Sequence, residues 1–127
     1  MKATFLTLFV ALALALVLAA CGSTKETNFP TGKFIKTGTT NYGLIFNEDG
    51  TFSVFDGNST IVRGTYSVDG DTYTDKSNNV GCLDEPKSFK YTFDGTNLTF
   101  KYIGDPANDA CDGRRDDFNN VTYALSQ

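Results

Sequence analysis

Short runs of alternating apolar and polar residues, cut at Asp49-Gly50, Asp56-Gly57, Asp69-Gly70 and Asp94-Gly95, constrain this chain more than any other feature. Asp-Gly steps favour the tight turns that join neighbouring antiparallel strands, because both residues tolerate positive φ. Eight strands are expected, at Gly32–Thr37, Asn41–Phe46, Thr51–Phe55, Thr60–Val68, Asp71–Asp75, Lys87–Phe93, Asn97–Ile103 and Phe118–Leu125. An irregular loop from Lys76 to Pro86 and a polar, acidic one from Gly104 to Asp117 interrupt the pattern. No segment carries the 3.6-residue period of an amphipathic helix, so the expected fold class is all-β.

Alternation also says which side chains point inward. One parity collects Tyr42, Leu44, Phe46, Phe52, Val54, Val62, Gly64, Tyr66, Val68, Tyr73, Phe89, Tyr91, Phe93, Leu98, Phe100, Tyr102, Val121, Tyr123 and Leu125. The other is mostly Lys, Ser, Thr and Asn, so a slip of one residue would turn every aromatic ring to water. Eight sequential strands with one apolar face can close on themselves and so remove both unpaired edges. A two-sheet sandwich fits the same parity. Short sequential loops favour neighbour-to-neighbour pairing, and with it an eight-stranded up-and-down antiparallel barrel.

Ahead of this pattern, Met1-Lys2 is followed by an apolar run from Phe5 to Ala20 that ends Leu18-Ala19-Ala20-Cys21. One positive charge, an apolar stretch and small residues before a cleavage point are the order of a secretory signal. The Leu-Ala-Ala-Cys text resembles the lipobox of bacterial lipoproteins. That resemblance implies that residues 1–20 are a signal peptide and that Cys21 is acylated as the first residue of the mature protein. It further implies that the protein is held in the bacterial cell envelope, facing periplasm or exterior; residues 21–31, the cysteine and a polar run with no helical or strand period, read as a flexible tether. The partner is then a membrane, reached through the N-terminal acyl chains. Two or more chains suffice for stable anchoring.

Loss of the leader leaves 107 of the 127 residues, enough for one domain, residues 32–127. Lys2 is the only charge removed, so the mature chain is one unit more acidic than the −4 of the whole sequence. That excess argues against a nucleic-acid partner and against electrostatic attraction to anionic lipid. Three cysteines are an odd number. With Cys21 taken by lipid, Cys82 and Cys111 are either a disulfide in an oxidising compartment or two buried thiols.

Several short motifs, taken in order, are similar to bacterial lipocalin-like domains. They are Gly32-Lys33-Phe34, Ile45-Phe46 with Asp49-Gly50-Thr51-Phe52-Ser53-Val54, Gly64-Thr65-Tyr66-Ser67-Val68, Leu98-Thr99-Phe100, and Asp109-x-Cys111-x-x-Arg114. The resemblance spans about Gly32 to the C-terminus and implies a small barrel. Phe34 stands where that family carries Trp. The late Arg that packs on this ring in lipocalins would be Arg114 or Arg115, and Arg114 is the structural Arg candidate.

The chain has no His, which removes Ser-His-Asp and Cys-His catalysis and His-based metal sites. Two acidic groups remain, Asp69, Asp71 and Asp75, and Asp105, Asp109, Asp112, Asp116 and Asp117. Both are expected to be solvated loop and turn residues, with a weak calcium site in the second as the alternative. No cofactor or metal is expected, and no catalysis. An eight-stranded barrel is just wide enough to be filled by its own side chains or to hold one small ligand. The candidate ligand-binding residues are Tyr42, Phe46, Phe52, Tyr66, Tyr73, Phe89, Tyr91, Phe100, Tyr102 and Tyr123. Two functions follow: a module binding a small hydrophobic ligand, or a packed barrel acting as an interaction or inhibitor module on an envelope protein.

Overall fold

A computed structural model describes residues 29–78, 82 and 85–127. The expected signal peptide, the expected acylation site at Cys21 and most of the expected tether lie outside the described residues. The strands are β1 (Gly32–Lys36), β2 (Tyr42–Phe46), β3 (Thr51–Asp56), β4 (Ser59–Asp69), β5 (Thr72–Ser77), β6 (Lys87–Phe93), β7 (Asn97–Tyr102) and β8 (Val121–Leu125). They form a closed barrel in sequence order, every pair antiparallel. Closure is made by β1 on β8, with Phe34 opposite Leu125 and Lys36 opposite Tyr123. Among the described strands no edge is left to pair with another chain.

The inward parity is the one expected. Phe34, Leu44, Phe46, Phe52, Val54, Tyr73, Phe89, Leu98, Phe100 and Tyr123 are buried in one core, with Tyr42, Val62, Tyr66, Val68, Tyr91, Phe93, Tyr102, Val121 and Leu125 packed against it. The Asp69-Gly70 turn brings Gly70 to φ 60°, a left-handed conformation that a Cβ would penalise. Gly64, opposite Phe52 in the β3–β4 ladder, has another reason to lack a side chain. A Cβ there would collide with the Phe52 ring and with the Lys76 carbonyl.

Three departures from the sequence pattern shape the molecule. The register of β3 on β4 shifts between Val54 and Phe55, so that Val54 faces Val62 and Phe55 faces Thr60. Ile61 is the extra residue of this bulge and is left exposed. The second departure is that residues 104–120 are not all loop. A 3₁₀ turn, Pro106–Asn108, is capped by the Asp105 carboxylate, and a helix, α1 (Asp112–Phe118), follows it. The eighth strand therefore begins at Val121, and Phe118 belongs to the helix. A helix of 7 residues is too short to show a period, and in isolation it would not form. The third is Phe29, within the stretch expected to be tether. It is buried, with its ring 4.9 Å from Tyr91, 5.0 Å from Phe46 and 5.3 Å from Tyr66, centroid to centroid.

Candidate functional site

The two ends of the barrel differ. At the end of the β2–β3, β4–β5 and β6–β7 turns, Phe29 closes the interior against Phe46, Tyr66, Tyr73 and Tyr91. At the other end α1 lays Phe118 into the barrel, where its ring stacks on Phe89 at 4.9 Å and Tyr73 at 5.8 Å and meets Phe100 edge-on at 4.8 Å. Phe118 fills the side formed by β5, β6 and β7. The side formed by β3 and β4 stays open, and a cavity of about 170 Å³ lies there.

Its walls are Phe52, Val54, Val62 and Phe118, and its mouth carries the exposed Ile61 and Gly113. Cys82 and Cys111 also line it. These two cysteines form a disulfide with Cα atoms 4.4 Å apart, so the thiol alternative falls. The bond ties the start of α1 to the segment after β5.

The polar part of the lining is Tyr42, Asp75, Ser77, Arg114 and Asp117. Asp75 is not the solvated turn residue expected from sequence. It shares the parity of Tyr73, so it points inward and is 1 % exposed. Asp109 and Asp117, expected to be solvated, are buried too. A fork-shaped guanidinium explains the burial of two of the three. Arg114 donates from Nε to Asp109 Oδ2 and from Nη2 to Asp109 Oδ1, both at 2.8 Å, and from Nη1 to Asp75 Oδ1 at 3.3 Å and the Glu85 carbonyl at 2.8 Å. Tyr102 Oη and the Cys111 N–H also donate to Asp109. Burial pushes the Asp109 carboxyl up, but the bonds from Arg114, Tyr102 and Cys111 outweigh it and hold the group well below the usual carboxylate range. Arg114 is thus a structural Arg, though its partners are carboxylates, while Phe34 packs on Phe46 and Phe93.

Asp117 is served by different donors. Tyr42 Oη donates to its Oδ2 at 2.6 Å and Lys36 Nζ to its Oδ1 at 3.2 Å, the Lys36 ammonium also lying 5.4 Å from the Tyr42 ring centre. Its backbone carbonyl accepts from Tyr123 Oη at 2.9 Å. Asp75 is left half-paired, because Oδ2 is buried and has no hydrogen-bond partner. Among the described residues no group of three or more His, Cys, Asp or Glu is placed to hold a metal ion. Of the acidic residues of the 105–117 stretch, Asp105 caps the 3₁₀ turn, Asp109 pairs with Arg114, Asp112 with Arg115 and Asp117 with Lys36, while Asp116 is exposed as expected.

Of the ten aromatic candidates, Tyr42 and Phe52 line the cavity. Phe46, Tyr73, Phe89, Phe100 and Tyr123 are fully buried packing. Tyr66 and Tyr91 surround Phe29 at the far end, donating to the Asn47 and Gly70 carbonyls, and Tyr102 serves Asp109. Asp75, Asp117, Val54, Val62 and Phe118 were not among the candidates. Parity alone would have pointed to Asp75, as an acid at an inward position of a strand.

Burial raises the Asp75 carboxyl to about 7, with Arg114 opposing and the like charge of Asp109 adding. An acid whose folded-state value exceeds its unfolded one favours the fold when protonated. That contribution is complete below about pH 4, the unfolded value, and is lost as pH rises through 7. Asp75→Asn cannot ionise, so its stability relative to the parent chain should improve by roughly 2–3 kcal/mol between about pH 5 and pH 8. Denaturant midpoints across that range measure this, and a gap moving the other way would refute it. Comparison with known proteins returns no matching family model, no matching curated protein and no matching solved structure.

Proposed function

We propose that this chain is a non-catalytic binding module, held on a bacterial envelope membrane by acyl chains on Cys21, whose barrel takes one small, mainly apolar molecule in the cavity under α1. The observation that carries the reading is the contrast within one barrel. Aromatic rings fill the far end and the centre, while the β3–β4 side is left hollow at about 170 Å³ behind an accessible mouth. Interiors pack closely by default, and a gap with an apolar wall and a few polar groups is the common form of a ligand pocket. Its size limits the occupant. An apolar cavity of about 150 Å³ holds a benzene ring, so the ligand is one ring or a short chain.

Of the two acids lining the cavity, Asp117 is held by Lys36 and Tyr42 and Asp75 shares Arg114 with Asp109, while the rest of the wall is mainly apolar. Toluene should therefore bind one site per chain, and Val62→Phe, which fills the cavity from β4, should abolish its heat of binding in a calorimetric titration. Toluene binding that Val62→Phe leaves intact would place the ligand elsewhere. Exposed Ile61 and Ile103 favour the second reading, an interaction surface, and a chain that binds no small apolar probe would support it. For the anchor, Cys21→Ser should move the protein from the membrane to the soluble fraction. Unchanged fractionation would end the lipoprotein reading.

A further inference from the structure

The charged lining of the cavity is unequally committed. Arg114 spends Nε and Nη2 on Asp109 and Nη1 on Asp75 and the Glu85 carbonyl, so it has little left for an anionic ligand. Both oxygens of Asp117 already accept a hydrogen bond, from Lys36 and from Tyr42. Asp75 is 1 % exposed, lines the cavity, and keeps one oxygen with no donor. A buried acceptor without a partner is costly to the fold, and more so if it is charged. A ligand that supplies the missing donor recovers that cost on binding.

Charge selects among donors. Asp75, Asp117 and Arg114 line the pocket's polar end, while Asp109 pairs with Arg114 and Lys36 with Asp117 from outside the lining. Arg114 is shared, closer to Asp109 at 2.8 Å than to Asp75 at 3.3 Å, so Asp75 is the carboxyl only partly served and the one that a further cation would complete. We infer that the occupant of the cavity is a small primary amine, its ammonium donating to Asp75 Oδ2 and its single ring or short alkyl chain lying among Phe52, Val54, Val62 and Phe118. The inference rests on the binding reading above and names the class of its ligand. The raised value of the Asp75 carboxyl accords with it, since a group left short of a partner is the one a bound cation would stabilise.

Benzylamine, benzoate and toluene share one ring and differ in charge, which makes calorimetric titration of the purified full chain with each a direct test. Benzylamine should saturate one site, benzoate should give no binding heat, and Asp75→Asn should weaken benzylamine about tenfold or more while sparing toluene. Should Asp75→Asn fold poorly, Gly113→Leu at the mouth serves instead. A Cβ at Gly113 meets nothing within 4 Å, so this variant should fold and exclude both benzylamine and toluene with Asp75 untouched. Toluene binding as tightly as benzylamine, or benzoate binding at all, would overturn the amine and leave the cavity reading standing. Silence from all three rings would overturn both.

Discussion

Arg114→Met should cost about 3–5 kcal/mol of folding free energy, a large part of the roughly 5–15 kcal/mol that holds a domain folded. The magnitude follows from what the guanidinium leaves behind. Asp75 and Asp109 have side chains about 1 % exposed, and removal of their shared cation strands two carboxylates out of water. Each must then take up a proton or draw water into the barrel. A methionine of similar length replaces the apolar contacts of the arginine stem, so the loss is electrostatic rather than a cavity effect. Arg114→Lys should recover little, because a point charge cannot make the paired contact that the planar fork makes with both Asp109 oxygens. The double variant Arg114→Met, Asp109→Asn should regain part of the loss, since the amide oxygen can still accept from Cys111 N–H while carrying no charge. Urea denaturation of the three variants measures these differences. A cost for Arg114→Met below about 1 kcal/mol would mean that the cluster is solvated after all.

The same residues show what the sequence could and could not disclose. Barrel order and side-chain parity were legible because both are local. Asp-Gly turns fix which strands are neighbours, and period-2 alternation fixes which side is buried. Helix α1 was not legible. Its 7 residues, DGRRDDF, are polar text that opens on an Asp-Gly step like those at the hairpins, and only tertiary contacts make it a helix. Arg115 meets Asp112 on its surface, while Arg114, Asp117 and Phe118 all turn inward. The hollow was illegible for a related reason. Whether an eight-stranded barrel is full depends on one ring, Phe118, placed from outside the strands. The bulge at Ile61, a single extra residue, left no mark on the composition either.

Loss of the disulfide through Cys82→Ala should lower stability by about 3.5 kcal/mol, the chain entropy released when a loop of 29 residues is opened. For a domain of about 100 residues this corresponds to a fall in melting temperature of roughly 15–25 °C. The parent chain should drop to the variant's value when a reductant is added, and the variant should not respond to reductant at all. A parent chain that melts at one temperature in both conditions would show that the bond contributes nothing. The two largest effects should also overlap. Cys111 is the residue from which α1 starts, and Arg114, one turn on, binds the Glu85 carbonyl just past Cys82. Bond and guanidinium therefore fasten the same helix to the same segment, and once either is cut α1 can leave the barrel mouth before the strands separate. Combining Cys82→Ala with Arg114→Met should accordingly cost less than the two losses added together, by about 1 kcal/mol or more. Strict additivity would mean that the bond and the guanidinium act independently, so that neither loss releases α1 by itself. The helix would then stay seated in either single variant through Phe118, packed on Tyr73, Phe89 and Phe100, and through Asp117, bonded to Lys36 and Tyr42.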